Sequence, residues 1–232
     1  MLLLFYAKLS HIASMVELVD TIDSKSVVHW MCWFKSSWRY LNINYNFMDS
    51  KTIDANLRIK IFPAPILREK SIDIDSFDQA LHNVIAKMES IMHHLSGAGI
   101  AANQVGLNKQ IALVNVIYDN IENSLDDLQF KNYTDNLLVI INPKIDWYSN
   151  ETAEESEGCL SFPGIYALVK RPVKVIVSYN DQWGDRKVIK ANNLLARCLQ
   201  HEIDHLNGRL FIDYLNPVKR RMLTAKLLKK NS

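Results

Sequence analysis

The chain has 232 residues, enough for one sizeable domain or two small ones. Its composition, with 48% hydrophobic and 22% charged residues, is ordinary for a globular protein. A net charge of +2 is too small to indicate nucleic-acid binding by itself. Three cysteines far apart in sequence exclude a disulfide framework, so we expect a reducing compartment, the cytoplasm.

The first 48 residues differ in character from the rest. Residues 1–7 (MLLLFYA) are too short to span a bilayer and lack the positive cluster of a secretory signal. Residues 15–25 resemble a translated transfer-RNA gene, which indicates a start assigned too far upstream. We therefore expect residues 1–56 to be an N-terminal extension, disordered or misassigned, and residues 57–232 to form the domain. A partner-binding or membrane-surface patch is the alternative for the aromatic residues Trp30, Trp33, Phe34 and Trp38.

The domain is predicted to begin with an extended segment and a helix. Residues 61–68 (IFPAPILR) are too rich in proline for a helix interior. Ser76 and Gln79 have capping-box spacing, and Gly97 and Gly99 are predicted to end the helix. Apolar residues recur between them at three- and four-residue steps, which predicts an amphipathic helix packed on the core. These residues are Phe77, Leu81, Val84, Ile85, Met88, Ile91, Met92 and Leu95.

Three later segments are rich in β-branched and apolar residues and are predicted strands: residues 111–117, 137–141 and 173–179. The polar stretch 119–136 offers little to bury and is predicted to be a surface loop. Several strands with a few separate helices favour the α+β class.

Residues 200–205 (QHEIDH) are the most informative run. Side chains four residues apart on a helix lie about 40° apart around its axis, so His201 and His205 can bind one metal ion. Glu202 would lie beside the ion and handle the proton of a water bound to it. The alternative is a solvated helix face with two chance histidines, and a third ligand must decide.

Two cysteines are candidates for that third ligand. Cys198 would stand about 10 Å from His205 along one helix axis, too far for metal bonds of about 2 Å, and is better placed as a pocket wall. Cys159 follows Gly158 in the run 157–161 (EGCLS), and a cysteine on a turn or strand end can reach the metal as a thiolate. One cysteine and two histidines leave a position open, which indicates a catalytic site.

Asn216 followed by Pro217 predicts the start of a C-terminal helix. This helix would be basic, and such a run is usually a solvated face, although an anionic partner is the alternative. Its basic residues are Lys219, Arg220, Arg221, Lys226, Lys229 and Lys230.

Three runs together resemble the three signature motifs of peptide deformylases: residues 97–104 (GAGIAANQ), 157–161 and 200–205. They occur in that family's order, and the resemblance covers roughly residues 57–232, which it identifies as a catalytic domain. The resemblance implies an α+β fold with mixed or antiparallel strands around a central metal-binding helix and a basic C-terminal helix. It implies metal-dependent hydrolytic removal of the N-formyl group from the initiator methionine of newly made polypeptides.

The resemblance assigns the metal site to Cys159, His201 and His205. It also implies an ion pair between Glu157 and Arg171 behind the cysteine loop, for which ordinary surface charge is the alternative. Sulfur and nitrogen donors suit iron(II), zinc, nickel or cobalt, and bond chemistry alone does not rank them. The resemblance favours iron(II) as the single divalent ion, with zinc a less active occupant.

The resemblance also assigns the catalytic and substrate-binding residues. Glu202 would carry the proton, while the Gln104 amide and the Leu160 backbone N–H would donate hydrogen bonds to the developing oxyanion. The backbone of Gly99 would pair with an extended peptide. The pocket for the methionine side chain would be lined by Ala98, Leu194 and Cys198.

The partners that the resemblance implies are N-formylmethionyl nascent peptides and, through the basic C-terminal helix, the ribosome surface, with no DNA or membrane partner. Two other functions remain open. A zincin-like peptidase shares H-E-x-x-H but takes its third ligand from downstream, and residues 206–232 hold no matching signature. A non-catalytic ribosome-binding paralogue is opposed by the intact Glu202 and Gln104, and a formyl-peptide assay separates the two cases.

Overall fold

The computed structural model describes residues 57–116, 134 and 137–231. The predicted N-terminal extension, its aromatic patch and most of the predicted loop at 119–136 lie outside the described residues. The described elements are seven β-strands and three α-helices, linked by short 3-10 turns. The strands are β1 (Gly99–Ala101), β2 (Ile111–Val114), β3 (Leu138–Tyr148), β4 (Thr152–Gly158), β5 (Tyr166–Pro172), β6 (Lys174–Asn180) and β7 (Arg186–Asn192). The helices are α1 (Gln79–His94), α2 (Asn193–Leu206) and α3 (Pro217–Asn231).

Five strands form one sheet in the order β1-β2-β3-β6-β7, and β4 pairs only with β5 in a separate hairpin. Every pairing between these strands is antiparallel. The predicted α+β class with mixed or antiparallel strands is therefore confirmed.

Strand β3 is longer than the predicted strand at 137–141, because its second half continues along β6 after its first half has paired with β2. Pro143 lies where the register shifts between Ile141 and Lys144. A proline at such an irregularity costs no ladder hydrogen bond, so the strand passes through it.

Helix α1 forms where apolar periodicity predicts it, but both ends differ from the prediction. Its N-cap is Asp78 rather than Ser76, since the Asp78 carboxylate accepts the Leu81 N–H at 3.0 Å. At the other end the left-handed residue is Ser96, at φ 55°, and not Gly97. The Gly97 N–H reaches the Met92 carbonyl at 2.9 Å, which completes a Schellman motif around Ser96.

Helix α2 contacts both the five-stranded sheet and the hairpin. Toward the sheet it buries an apolar side against β6, with Leu199 fully buried in the same cluster as Val175 and Val177. On the other side a second apolar cluster joins Phe162 and Phe211 to the inward residues of β5. The helix is therefore enclosed between two packed layers.

Helix α3 begins as predicted, because the Asn216 side chain accepts the Lys219 N–H at 2.9 Å and Pro217 occupies the first turn. Leu227 is buried against the cluster of Phe162 and Phe211. None of the described helices is both long and apolar enough to cross a bilayer.

Candidate metal centre

The two elements that meet at the site are the end of β4 and the C-terminal half of α2. Cys159 follows the last residue of β4, while His201 and His205 lie one helical turn apart on α2. Their possible ligand atoms all lie within 4.8 Å of one another, and Cys159 Sγ is 3.2 Å from His205 Nε2. Both histidines are buried and Cys159 is half-buried. In the described part of the chain this is the one group of three such side chains that could hold a metal ion.

The chemistry of these donors fits a divalent ion. Burial holds the pKa of His205 well below its ordinary value, which suits a neutral metal ligand. Burial would also lower the pKa of His201, but hydrogen bonds with Cys159 and Glu157 hold that pKa well above its ordinary value, so an ion bound there would displace a proton. His201 Nδ1 lies 3.1 Å from Glu157 Oε2, which leaves Nε2 as the ring nitrogen available for coordination. One sulfur and two nitrogens make a site of the kind that binds zinc or iron and leaves a coordination position open.

Glu202 is 3% exposed, and its Oε2 has no hydrogen-bond partner within the described residues. Burial, and to a smaller degree the charge of Glu157, raises the pKa of Glu202 to about 7 against the opposing effect of His201. The backbone of Gly99 makes this placement possible, because a Cβ added there would collide with the Glu202 carboxyl group. A buried carboxyl group of this kind is equipped to exchange a proton.

The Gln104 side chain is buried with its amide oriented. Its Oε1 accepts the Ala101 N–H at 2.8 Å, so its Nε2 points the other way, toward Cys159 Sγ at 3.4 Å and Ser161 Oγ at 3.3 Å. The uncharged amide nitrogen of Gln104 thus lies beside the cluster of possible metal ligands.

A buried ionic network supports the histidines from behind. The predicted ion pair is confirmed, with Arg171 Nε 2.6 Å from Glu157 Oε1, and the same guanidinium reaches Asp204 Oδ2 at 2.7 Å. Burial would raise the pKa of Glu157, but hydrogen bonds from His201 and Arg171 hold that pKa well below its ordinary range. Glu157 is therefore a carboxylate and a steady acceptor for the His201 ring.

Sequence reasoning missed Arg197, which lies one helical turn before His201 and is 7% exposed. It donates to Glu157 Oε1 at 2.6 Å and to Glu155 Oε2 at 3.0 Å. The sequence carried two signals for this contact. Glu155 and Glu157 alternate along one strand, and Arg197 interrupts an otherwise apolar stretch of helix.

The residues predicted to line the methionine pocket lie at one apolar cluster, and Leu160, the predicted oxyanion donor, lies at another. Cys198 is buried in the cluster between α2 and the sheet, and Ala98 and Leu194 are partly buried against the same cluster. Burial raises the pKa of the Cys198 thiol, so it behaves as an apolar wall. Leu160 packs instead with the residues under α1, where its side chain approaches the glycine at position 97.

The chain is similar to several known proteins. The family model for polypeptide deformylase matches residues 56–221. The peptide deformylase of Bartonella tribocorum is 44% identical over 168 residues, which is 72% of this chain and 89% of that protein. A crystal structure of peptide deformylase from Ehrlichia chaffeensis gives a TM-score of 0.70 at 40% identity and covers 76% of this chain and 97% of that one. The same enzyme in complex with actinonin gives 0.69 at 39% identity, over 75% of this chain and 96% of that chain. On these matches, the chain belongs to the peptide deformylase family.

Proposed function

We propose that this protein hydrolyses the N-formyl group from the initiator methionine of newly made polypeptides and releases formate. The observation that carries this proposal is the cluster of Cys159, His201 and His205 with the buried carboxyl group of Glu202 beside it, whose Oε2 has no hydrogen-bond partner among the described residues. Family membership supports the reaction, since the relatives named above are peptide deformylases.

Cys159, His201 and His205 would hold one divalent ion. Such an ion supplies Lewis-acid polarisation of a carbonyl and lowers the pKa of water to near neutrality. We propose iron(II), in line with the family resemblance, and zinc, nickel and cobalt suit the same donors. Metal analysis of protein purified without oxygen, paired with activity, identifies the ion.

Glu202 is proposed to carry the proton. As the water oxygen bonds to the formyl carbon, Glu202 accepts the proton of that water. It then returns the proton to the amine nitrogen as the carbon–nitrogen bond breaks, so formate and a free N-terminus leave. The close approach of Gly99 and the burial of Glu202 hold this carboxyl group in place for both transfers.

The formyl oxygen gains negative charge during the attack, and two donors of this chain are proposed to stabilise it. One is the Gln104 amide, whose orientation is fixed by the Ala101 N–H. The other is the Leu160 backbone N–H. Loss of one donor of this kind typically costs about 3 kcal/mol of transition-state stabilisation.

The substrate is proposed to bind as an added strand. Within the described sheet β1 pairs only with β2, so its outer edge can hydrogen-bond an extended peptide through the backbone of Gly99. The methionine side chain is unbranched and polarisable, which suits the irregular apolar wall formed by Ala98, Leu194 and Cys198.

The catalytic domain is proposed to be residues 57–232, preceded by an extension at 1–56. The family match that begins at residue 56 supports this boundary. We place the protein in the cytoplasm with nascent peptides, and we propose the exposed basic face of α3, around Arg221, as a contact for the ribosome. No DNA or membrane partner is part of this proposal.

Formate release from peptides tests the proposal. We expect formyl-methionyl peptides to be better substrates than formyl peptides that begin with Asp or Lys, because the pocket wall is apolar. In Glu202→Gln the metal content should be retained, since Glu202 is not a proposed ligand, while turnover falls about 100- to 10,000-fold. Glu154→Gln, at an exposed position on β4, is the matched control and should keep wild-type turnover.

Three results would count against parts of the proposal. Equal rates for all of these peptides would refute the selective pocket. A Glu202→Gln variant with most of its turnover would remove the proton role. A metal-loaded wild-type protein that releases no formate would indicate the non-catalytic paralogue.

A further inference from the structure

The site depends on two elements that no strand pairing connects. The β4–β5 hairpin, which carries Cys159, is separate from the five-stranded sheet. The two histidines lie on α2. Some other interaction must therefore fix how far the hairpin lies from the helix, and with it the separation of the sulfur from the ring nitrogens.

Arg197 makes four hydrogen bonds between α2 and the hairpin. Single bonds from Arg171 to Asp204 and from Gln200 to the Pro172 carbonyl join the same two elements. Its Nε donates to Glu155 Oε2 at 3.0 Å, and one terminal nitrogen donates to the carbonyl of Ala153 at 3.0 Å. The other terminal nitrogen donates to Glu157 Oε1 at 2.6 Å and to the carbonyl of Val169 at 2.9 Å. One side chain of α2 thereby holds three alternate residues of β4 and one residue of β5.

The same contacts act on the His201 ring. The Glu157 carboxylate receives Arg197 on Oε1, Arg171 on both oxygens and His201 Nδ1 on Oε2. With both oxygens engaged, the carboxylate has a fixed plane, and that plane sets the direction in which it meets the imidazole. A partner of this kind behind a ligating histidine fixes the tautomer and the ring orientation.

A planar guanidinium is suited to this position in a way that other residues are not. Its donors lie in a rigid fork that can serve several acceptors at once, whereas a lysine ammonium is a point charge on a flexible stem. An apolar replacement would take one donor away from the Glu157 carboxylate, which is buried.

We propose that Arg197 is a positioning residue that locks the cysteine-bearing hairpin onto α2 and so sets the geometry of the Cys159, His201 and His205 donors. This inference rests on the metal centre proposed above. It does not depend on which formylated peptide is the substrate.

The test measures metal binding directly. We expect Arg197→Met to lower zinc affinity, measured by competition with a chromogenic chelator, about 10- to 100-fold. In the cobalt(II) form, the thiolate-to-cobalt absorption band that reports Cys159 should shift or weaken. Arg197→Lys should lie between wild type and Arg197→Met, because it keeps the charge but loses the fork.

Arg186→Met is the matched control. Arg186 also donates two hydrogen bonds, to Ser178 Oγ at 2.6 Å and Asn180 Oδ1 at 3.4 Å, but both acceptors lie on β6 of the main sheet. This variant loses an arginine with its hydrogen bonds and should keep both the zinc affinity and the cobalt band of wild type.

Wild-type zinc affinity and an unchanged cobalt band in folded Arg197→Met would overturn the inference. Should Arg197→Met fail to fold, Arg197→Lys decides by the same two measurements. Zinc binding is measured without peptide, so the two proposals can fail separately. If the wild-type protein releases no formate while the Arg197 variants lose zinc affinity, the proposed function is wrong and this inference still holds.

Discussion

Helix α2 has two faces that are built from different interactions. Its sheet face, formed by Leu195, Leu199 and Ile203, is buried in an apolar cluster with β6. Its hairpin face, formed by Arg197, His201 and Asp204, meets β4 and β5 through hydrogen-bonded charges. The two faces belong to one helix of 14 residues, so the contrast comes from side-chain chemistry and not from backbone conformation.

The contrast separates stability from geometry. Apolar contacts are non-directional and stabilise in proportion to the area they bury. Buried ion pairs contribute little net stability because desolvation offsets their attraction, but their hydrogen bonds have fixed directions. We therefore expect the sheet face to hold the helix in the fold and the hairpin face to hold the metal donors in register. Substitutions on the two sides should act on different measurements.

The largest effect on metal binding is expected from Cys159→Ser, on the hairpin side. A thiolate is replaced by a neutral hydroxyl, so metal retention and turnover should both fall. Loss of a residue that supports a metal ligand can lower metal affinity about 100-fold, and the loss of the ligand itself should have a larger effect. Metal content per chain after dialysis, together with formate release, measures this.

Cys198→Ala is the matched control for metal content, since it removes a buried thiol from the side facing the sheet. It should retain the ion. Full metal occupancy and normal turnover in Cys159→Ser would show that Cys159 is not a ligand.

A large effect on stability, with no change in metal binding, is expected from Leu199→Ala on the sheet face. Leu199 is fully buried, so its truncation should lower the free energy of unfolding by about 2 to 5 kcal/mol. Thermal and denaturant unfolding measure this loss. Below the melting temperature, the zinc affinity of Leu199→Ala should equal that of wild type. If its zinc affinity instead fell as far as that of the Arg197 variants, the two faces would not have the separate roles described above.

The smallest effect is expected when residues 1–47 are removed so that the chain starts at Met48. No proposed ligand, proton carrier or oxyanion donor is lost, so metal content and turnover should stay nearly unchanged. Formate release and thermal unfolding of the two forms check this. If the shortened protein instead unfolded or lost activity, the preceding residues would be part of the domain, and Trp30, Trp33 and Trp38 would become candidates for buried packing.

The parts of this protein that follow from local spacing could be predicted from sequence. The apolar period of α1 and the start of α3 at Pro217 each depend on a few neighbouring residues, and both elements are present. Helix ends were less accurate, since Ser76 and Asp78 both have cap chemistry and only the folded backbone brings Asp78 to the Leu81 N–H.

The sequence by itself determined the α+β class and which side chains could form the site, because motif spacing on a helix or a turn is a local property. Only the tertiary structure decided that β4 and β5 stand apart from the main sheet and that Arg197 spans the gap to them. Glu155 and Arg197 are 42 residues apart, and no local period relates them. Their contact depends on how the hairpin packs over α2, which is set by the sum of many long-range contacts.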